Sequence, residues 1–424
     1  MEIYIVQQGD TVASIAERFE VDPERLATDN GLPNPEQLAV GQTIVIAYPK
    51  QTHMVQQGDT LQSIAEAYDT SVLQLLKNNP ELSNREFIYP GEQLVISYDT
   101  NGDITTTGFA FPFITQEILV KTLPSLTYLA VFNYRISNEG EIFTFHDDTR
   151  IISTAKEYGT VPILLISVLT MQGEPDVETA YKLLFNEEVQ AKAINAFVTI
   201  IKDKGYGGAN IVFNISNDEN QSLYANFIKN IYERILQENL LFFVSFNYSE
   251  DFAQYHIDYS KFSMYTNAIT FIQLKWGTNY DPPAPISNIE TINQIISKAL
   301  STVAPEKLVV GNSTIGYDWP LPYVQSRTVA TSLSINSAFE LAYDTNSTIQ
   351  FDVTSQTPYF IYFQTNIGFP TQHIVWFIDA RSVNVLLDLI DRYGLNGNCI
   401  WNIMTYYHQL WLLINSQYNV IKIT

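Results

Sequence analysis

The chain is predicted to be an α/β protein: a (β/α)8 TIM barrel with a small α+β insertion, preceded by two small βααβ modules. Three observations carry that reading. A stretch near the N-terminus returns 49 residues later, as from Val6 to Val55. Eight apolar, strand-like runs then alternate with helical patterns, the order that a parallel sheet wrapped in helices requires. A chain of 424 residues, 46% hydrophobic and only 16% charged, is too long for one ordinary domain and long enough to bury a large core.

The repeat begins as "YIVQQGDTVASIAERFEVDPERLATDN" at 4–30 and returns as "HMVQQGDTLQSIAEAYDTSVLQLLKNN" at 53–79. The closing stretches "LAVGQTIVIAYP" and "IYPGEQLVISYD" match as well. Each copy reads strand, helix, helix, strand, which sets modules at 1–49 and 50–98. In the first, Val6 ends a short strand and Gly9-Asp10 turns the chain. Asp10 or Thr11 can accept hydrogen bonds from the free N–H groups that open the helix. Val12, Ile15, Ala16 and Phe19 recur at helical spacing and form one apolar face. A second helix is expected over about 23–29, and "GQTIVI" alternates as a closing strand. A module this small buries little, so the two are expected to pair.

Residues 99–107, within "YDTNGDITTTG", read as a linker, and 108–424 as the barrel. The strand-like runs are "GFAFPFI" (108–114), "TYLAVFNYRI" (127–136), "VPILLISV" (161–168) and "GANIVFNI" (208–215). They continue as "LLFFVSFNY" (240–248), "AITFIQLKW" (268–276), "EKLVVGNSTI" (306–315) and "GNCIWNI" (397–403). The interval from about 316 to 375 carries alternating strands of its own and reads as the insertion, between the seventh strand and the last helix. In "DARSVNVLLDLIDRYG", Asp379 is the N-cap of a helix and Gly394 stands just past its end.

"QGDT-x-x-S-I-A", the Asn that follows, and the closing "G-Q/E-x-L/I-x-I" resemble the LysM module, twice over, across residues 3–98. The resemblance implies binding of N-acetylglucosamine-containing glycans such as peptidoglycan or chitin. The sugar would lie in a shallow groove between the loop opening the first helix and the loop after the second. Those positions are Gly9, Asp10 and Thr11 with Asn30, Gly31 and Leu32, and Gly58, Asp59 and Thr60 with Asn79, Pro80 and Glu81. Each has a structural reading beside the functional one. The glycines permit the turn, and Asp10 and Thr11 cap a helix whether or not sugar is bound. Capping is expected to be their main energetic role, with backbone groups of the loops holding the ligand.

In a barrel, functional side chains project from the C-terminal ends of the strands. On the fourth strand, a period of two places Asn210, Val212 and Asn214 on one face and Ala209, Ile211 and Phe213 on the other. The apolar set is expected to face the helices, which turns Asn214 toward the lumen and its mouth. With "TYLAVFNY", "KGYGGANIVFN", "VGNSTIGYDWPLPY", "VWFIDARS" and "YGLNGNCIW" in this order, the chain resembles glycoside hydrolase family 18 over its whole length. Within the family it is most similar to the LysM-bearing spore-cortex N-acetylglucosaminidases. That resemblance implies a fourth-strand motif, D-x-x-D/N-x-D-x-E. Its Glu is the general acid, and the Asp before it orients the substrate's acetamido group, which acts as the nucleophile. The motif positions here are Gly207, Asn210, Val212 and Asn214, and only Asn210 fits. An amide delivers no proton, and general acid catalysis contributes roughly 10²–10⁴-fold, so no catalytic residue is expected among them.

Trp401 matches the family tryptophan that floors the sugar subsite, with a core aromatic as the other reading. A family tyrosine on the sixth strand appears as Trp276, beside Lys275, and another as Ile315. Trp276 and Trp401 are thus the candidate barrel sugar subsite. Asp218 and Glu219 read as acids complementing a helix start, and Glu141, Asp147 and Asp148 as loop or strand-end residues with no placed partner.

One cysteine, Cys399, allows no intrachain disulfide and no Cys-based metal site, and the five histidines lack ligand spacing. No metal and no cofactor are expected. A net charge of −22 argues against nucleic acid and anionic membrane as partners, and no apolar run is long enough to span a bilayer. The opening "MEIYIVQQGD" lacks a basic-then-apolar signal segment. By resemblance, the protein is expected to be made in the mother-cell cytoplasm and deposited on the spore cortex, coat or exosporium. Abundant Tyr and Asn with scarce Lys and Arg suit a surface packed into an assembly, but an AT-rich genome is the preferred explanation.

The expected function is that of a non-catalytic glycan-binding or structural spore protein. Its LysM modules would bind peptidoglycan, and its barrel would be a pseudo-hydrolase serving as scaffold or lectin. One alternative is an active N-acetylglucosaminidase that hydrolyses spore-cortex peptidoglycan by an altered site. The other is a self-assembling coat or inclusion protein with vestigial grooves, partnered by itself or by other spore-layer proteins.

Overall fold

The computed structural model describes residues 1–85, 87–168, 176–213, 219–248, 255–273, 281–366 and 369–423. The first module is β1 (Glu2–Ile5), α1 (Val12–Phe19), α2 (Pro23–Asn30) and β2 (Thr43–Ile46). β1 and β2 pair antiparallel, with Glu2 opposite Ile46, and Val12, Ile15, Ala16 and Leu26 bury their apolar faces against Ile44 and Ile46. Thr11 is the cap of α1: its hydroxyl accepts from Ser14 N at 3.1 Å while Ser14 Oγ accepts from Thr11 N at 3.0 Å. Asp10 braces the preceding turn instead, accepting from Tyr4 Oη at 2.6 Å and Gln7 N at 2.7 Å. The second module, β3 (Gln51–Met54), α3 (Leu61–Ala67), α4 (Val72–Asn78) and β4 (Gln93–Ser97), repeats this with Thr60, Ser63 and Asp59 in the same roles.

The chain then runs β5 (Gly102–Ala110), α5 (Gln116–Thr122), β6 (Tyr128–Ile136), β7 (Ile142–Thr144), α6 (Thr149–Glu157) and β8 (Val161–Ser167). It continues through α7 (Val177–Phe185), α8 (Glu187–Lys204), β9 (Gly208–Phe213), α9 (Gln221–Leu236), β10 (Leu241–Asn247), α10 (Ser260–Ser263) and β11 (Ala268–Ile272). Next come α11 (Ile289–Leu300), β12 (Leu308–Ser313), β13 (Ile315–Leu321), β14 (Thr331–Ser334), α12 (Ile335–Asp344), β15 (Gln350–Asp352), β16 (Thr357–Asn366) and β17 (Phe369–Trp376). The last elements are α13 (Ala380–Tyr393), β18 (Gly397–Trp401), α14 (His408–Gln417) and β19 (Tyr418–Val420).

Among the described residues, the parallel ladder β5-β6-β8-β9-β10-β11-β12-β18 closes on itself, because β5 pairs with both β6 and β18. This is an eight-stranded TIM barrel. Its strands alternate between two cores. Ala209 and Ile211 point outward into the apolar layer shared with the helices. Val212 points into the lumen, where it packs with Phe109, Leu165, Val309, Cys399 and Trp401.

Residues 102–107 differ from the linker reading: they open β5, with Thr105 in register with Gly397 and Thr107 with Tyr128. "DITTT" looks like loop because it is polar, yet threonine is β-branched and suits a strand once its hydroxyl is satisfied. Thr105 Oγ1 donates to Asn396 O at 3.3 Å; at Thr106 it is the backbone N–H that is bonded, donating to Thr127 Oγ1 at 3.1 Å. β13–β17 form an antiparallel sheet in the order β14-β13-β17-β16-β15. α12 packs on this sheet, with Phe339 edge-on to Phe377 at 5.4 Å.

The modules are seated on the barrel by buried polar contacts. Gln409 of α14 accepts from Thr43 Oγ1 at 2.8 Å and donates to Thr43 O at 2.6 Å and Asn30 Oδ1 at 3.1 Å. Asn415 Nδ2 donates to Lys77 O and Ser125 Oγ, each at 2.9 Å. Lys77 Nζ reaches Tyr418 O at 3.3 Å, and burial pushes its ammonium down to about 8. No helix among the described residues is long and apolar enough to cross a membrane.

Candidate active site and glycan grooves

The three described motif positions, Gly207, Asn210 and Val212, do not gather at one level of the barrel. Gly207 precedes β9, at the end of the strand away from the mouth, and its N–H donates to Pro162 O at 2.8 Å. A Cβ there would stand 2.3 Å from Val161 Cγ1, so a side chain at 207 would require the valine to move. Asn210 is buried inside the barrel, and its Oδ1 accepts from Ser245 Oγ at 2.9 Å. Val212 forms the next inward layer and carries no polar atom. Asn214 lies outside the described residues, as do Asp218, Lys275 and Trp276.

Trp401 ends β18 and is wholly buried. It meets Phe109 at 5.8 Å and Phe111 at 6.0 Å, both edge-on. From there a file of rings leads outward past the C-terminal ends of β5 and β6. Phe111 stacks on Phe113 at 5.3 Å with 19° between planes, and meets Phe132 edge-on at 5.1 Å. Phe113 in turn meets His146 at 5.3 Å and is 59% exposed. Of the two readings of Trp401, the structure shows the core side chain, at the inner end of a file of rings that reaches the exposed Phe113. The signal was the alternation Phe109, Phe111, Phe113 in "GFAFPFI", which is masked when the whole run is read as one buried strand.

Each of the three acids between β6 and α6 has a placed partner, which corrects their reading as unpartnered. Glu141 pairs with Lys192 at 3.1 Å. Asp147 accepts from Thr149 N at 3.1 Å and Thr149 Oγ1 at 2.7 Å. Asp148 is fully buried and accepts from Lys204 Nζ at 2.6 Å, Tyr206 Oη at 2.7 Å and Tyr134 Oη. Burial opposes ionisation of Asp148, but the bonds from Lys204, Tyr134 and Tyr206 outweigh it and hold the carboxyl below its ordinary range. Glu219 is exposed just ahead of α9. Among the described residues, no three His, Cys, Asp or Glu side chains gather as metal ligands.

In the modules, the structure divides the candidate groove residues. Gly9 and Gly58 adopt φ of 89° and 96° with open space where a Cβ would lie, so backbone conformation alone requires glycine there. Asn30 and Asn79 are buried inside their modules. Asn30 Nδ2 donates to Leu26 O and Val45 O at 2.9 Å, and its Oδ1 accepts from Val45 N at 2.7 Å. Asn79 does the same with Leu75 and Val95. Each ties the end of a helix to the closing strand, so its side chain is committed to the fold. Gly31 lies against the barrel, where a Cβ would meet the His408 ring at 2.2 Å. Leu32 is half-buried on the first module's core. Pro80 opens a short 3-10 turn, and Glu81 within it pairs with Arg25 at 3.2 Å.

Residues 4–47 and 53–97 match the LysM domain, and residues 130–405 match glycosyl hydrolases family 18. The chain is 30% identical to the cortical fragment-lytic enzyme of Bacillus subtilis (strain 168), over 100% of both proteins. It is 28% identical to the Bacillus anthracis protein of the same name, over 100% of this chain and 99% of that one. The crystal structure of the Bacillus cereus spore cortex-lytic enzyme SleL superposes with a TM-score of 0.79 at 28% identity, covering 99% of each chain. These end-to-end relatives are named as lytic enzymes, which overturns the expectation of a non-catalytic pseudo-hydrolase scaffold. The alternative of an active cortex hydrolase is the one they support.

Proposed function

Because the chain belongs to glycosyl hydrolases family 18 and carries two LysM domains, we propose that it is a spore-associated glycosidase. In this reading it binds peptidoglycan through its modules and cleaves N-acetylglucosaminidic bonds of spore-cortex fragments at the barrel mouth. The supporting observation is end-to-end similarity: both modules and the barrel align with the Bacillus subtilis cortical fragment-lytic enzyme without loss of either end.

The chemistry constrains how such cleavage proceeds. Gly207, Asn210 and Val212 hold no ionisable group, so the leaving oxygen receives its proton from another residue. An acetamido oxygen that attacks from within the substrate needs only to be oriented, which is work for a hydrogen-bonding side chain and a close-fitting wall. The ring file Phe111–Phe113, leading in to Trp401, offers apolar faces on which pyranose rings can lie.

The test is to incubate the full chain with purified cortical fragments and with chitooligosaccharides, and to follow new reducing ends across pH. Turnover falling off on both sides of an optimum reports the acid and the pH at which it works. A chain that binds the fragments and releases no reducing ends at any pH would refute the catalytic half of this reading.

A further inference from the structure

The loop after α2 does not end in open solvent. It forms one wall of a cleft of about 210 Å³ whose other wall is α12 of the barrel insertion. Leu32 and Gln42 face it from the first module, and Asn336, Glu340, Tyr343 and Asp344 from α12. The walls are fixed relative to each other. Ile349 N, just past α12, donates to Val40 O at 2.8 Å. Gly41 approaches so closely that a Cβ would stand 2.1 Å from Ile349 O.

Gln42 is the informative residue. It is 3% exposed, and its Oε1 is used internally, accepting from Ala39 N at 3.0 Å. Its Nε2 has no hydrogen-bond partner among the described residues, and the side chain lines the cleft. That N–H opens onto the cleft, where it can donate to a bound acceptor. Opposite it stand another amide, a tyrosine ring 38% exposed, and two carboxylates. Amides suit an acetamido group, carboxylates accept from sugar hydroxyls, and the ring covers a pyranose face. Glu340 and Asp344 together disfavour an anionic ligand.

We propose that α12 and the loop after α2 of the first LysM module together hold an uncharged N-acetylglucosamine oligosaccharide, which lies between module and barrel insertion and not on the module alone. The inference rests on the reading that these modules bind such glycans. It gives the insertion a role in positioning the strand that the barrel works on.

Hydrogen exchange of the full chain with and without tri-N-acetylchitotriose tests it. Sugar is expected to slow exchange in residues 335–344 together with 31–42. Tyr343→Ala and Asn336→Ala, both on the surface of α12, are expected to weaken calorimetric binding about tenfold with an unchanged melting temperature. Protection confined to 31–42, with both variants binding like the parent, overturns the proposal. So does the absence of protection on either wall. Cleavage is measured separately, so protection of both walls without turnover sinks the hydrolase reading and leaves this inference standing.

Discussion

Arg25 of the first module donates from Nη1 to Asn79 Oδ1 of the second at 3.1 Å, and from Nη2 to Asn78 O at 3.1 Å. The same guanidinium pairs with Asp29 at 2.8 Å and Glu81 at 3.2 Å, so the two modules share one buried cation. Burial raises the Asp29 carboxyl to about 6 against the pull of Arg25. Arg25→Ala would strand two carboxylates, and breaking a buried pair costs about 3–5 kcal/mol. The expected result is a lower urea midpoint with faster hydrogen exchange in α2 and α4; an unaltered midpoint would show that the modules do not depend on this cation.

Gln409 is the counterpart of Arg25 on the barrel side, 1% exposed and bonded to Thr43, Asn30 and Tyr407. Gln409→Ala leaves buried module groups without partners, at about 1–3 kcal/mol each. Limited proteolysis is expected to release residues 1–98 from the variant while the barrel stays intact. Equal resistance in both proteins would place the docking energy elsewhere.

His408 makes stability depend on pH. Burial, then the neighbouring Lys121, pushes its imidazole from 6.5 down to about 3. Between those values the unfolded chain holds a proton that the folded chain refuses. The contribution of neutral His408 is therefore complete above pH 6.5 and is lost as pH falls toward 3. In His408→Gln, the slope of unfolding free energy against pH in that window is expected to shrink by up to about 1.4 kcal/mol per pH unit. Parallel pH profiles for the two proteins would contradict the assignment.

Two glycines separate backbone strain from steric clash. Gly58→Ala meets nothing within 4 Å and pays only for φ of 96°, a cost of about 1 kcal/mol. Gly31→Ala adds a Cβ at 2.2 Å from the His408 ring. Thermal unfolding is expected to rank Gly31→Ala well below Gly58→Ala, and the reverse order would mean that the module lies elsewhere on the barrel.

Phe113 is 59% exposed, so Phe113→Ala is expected to alter stability by no more than about 0.5 kcal/mol. It removes the outermost ring of the track toward Trp401, and the Michaelis constant for chitooligosaccharide is expected to rise several-fold. Kinetics identical to the parent would remove the ring file from the substrate path.

Much of the fold was legible because it rests on local periodicity. The outward Ala209 and Ile211 and the inward Val212 follow from a period of two, and the caps at Thr11 and Thr60 from residue type next to a turn. The strand start at 102 was not legible, since Thr105 looks polar until Asn396, far along the chain, satisfies its hydroxyl. The groove residues were legible as positions but not in their roles. Asn30 and Asn79 mark the right loops, yet their amides are spent holding helix to strand.

By itself, then, the sequence determined the tandem modules, the barrel class and the lack of an acid at 207, 210, 212 and 214. Only the tertiary structure decided which loop faces which surface. The bond between Gln409 and Asn30 joins residues 379 positions apart. Helix and strand propensities reach a few residues along the chain, so nothing local could announce that the loop beside Asn30 lies against α14 or that Gln42 looks across a cleft at α12.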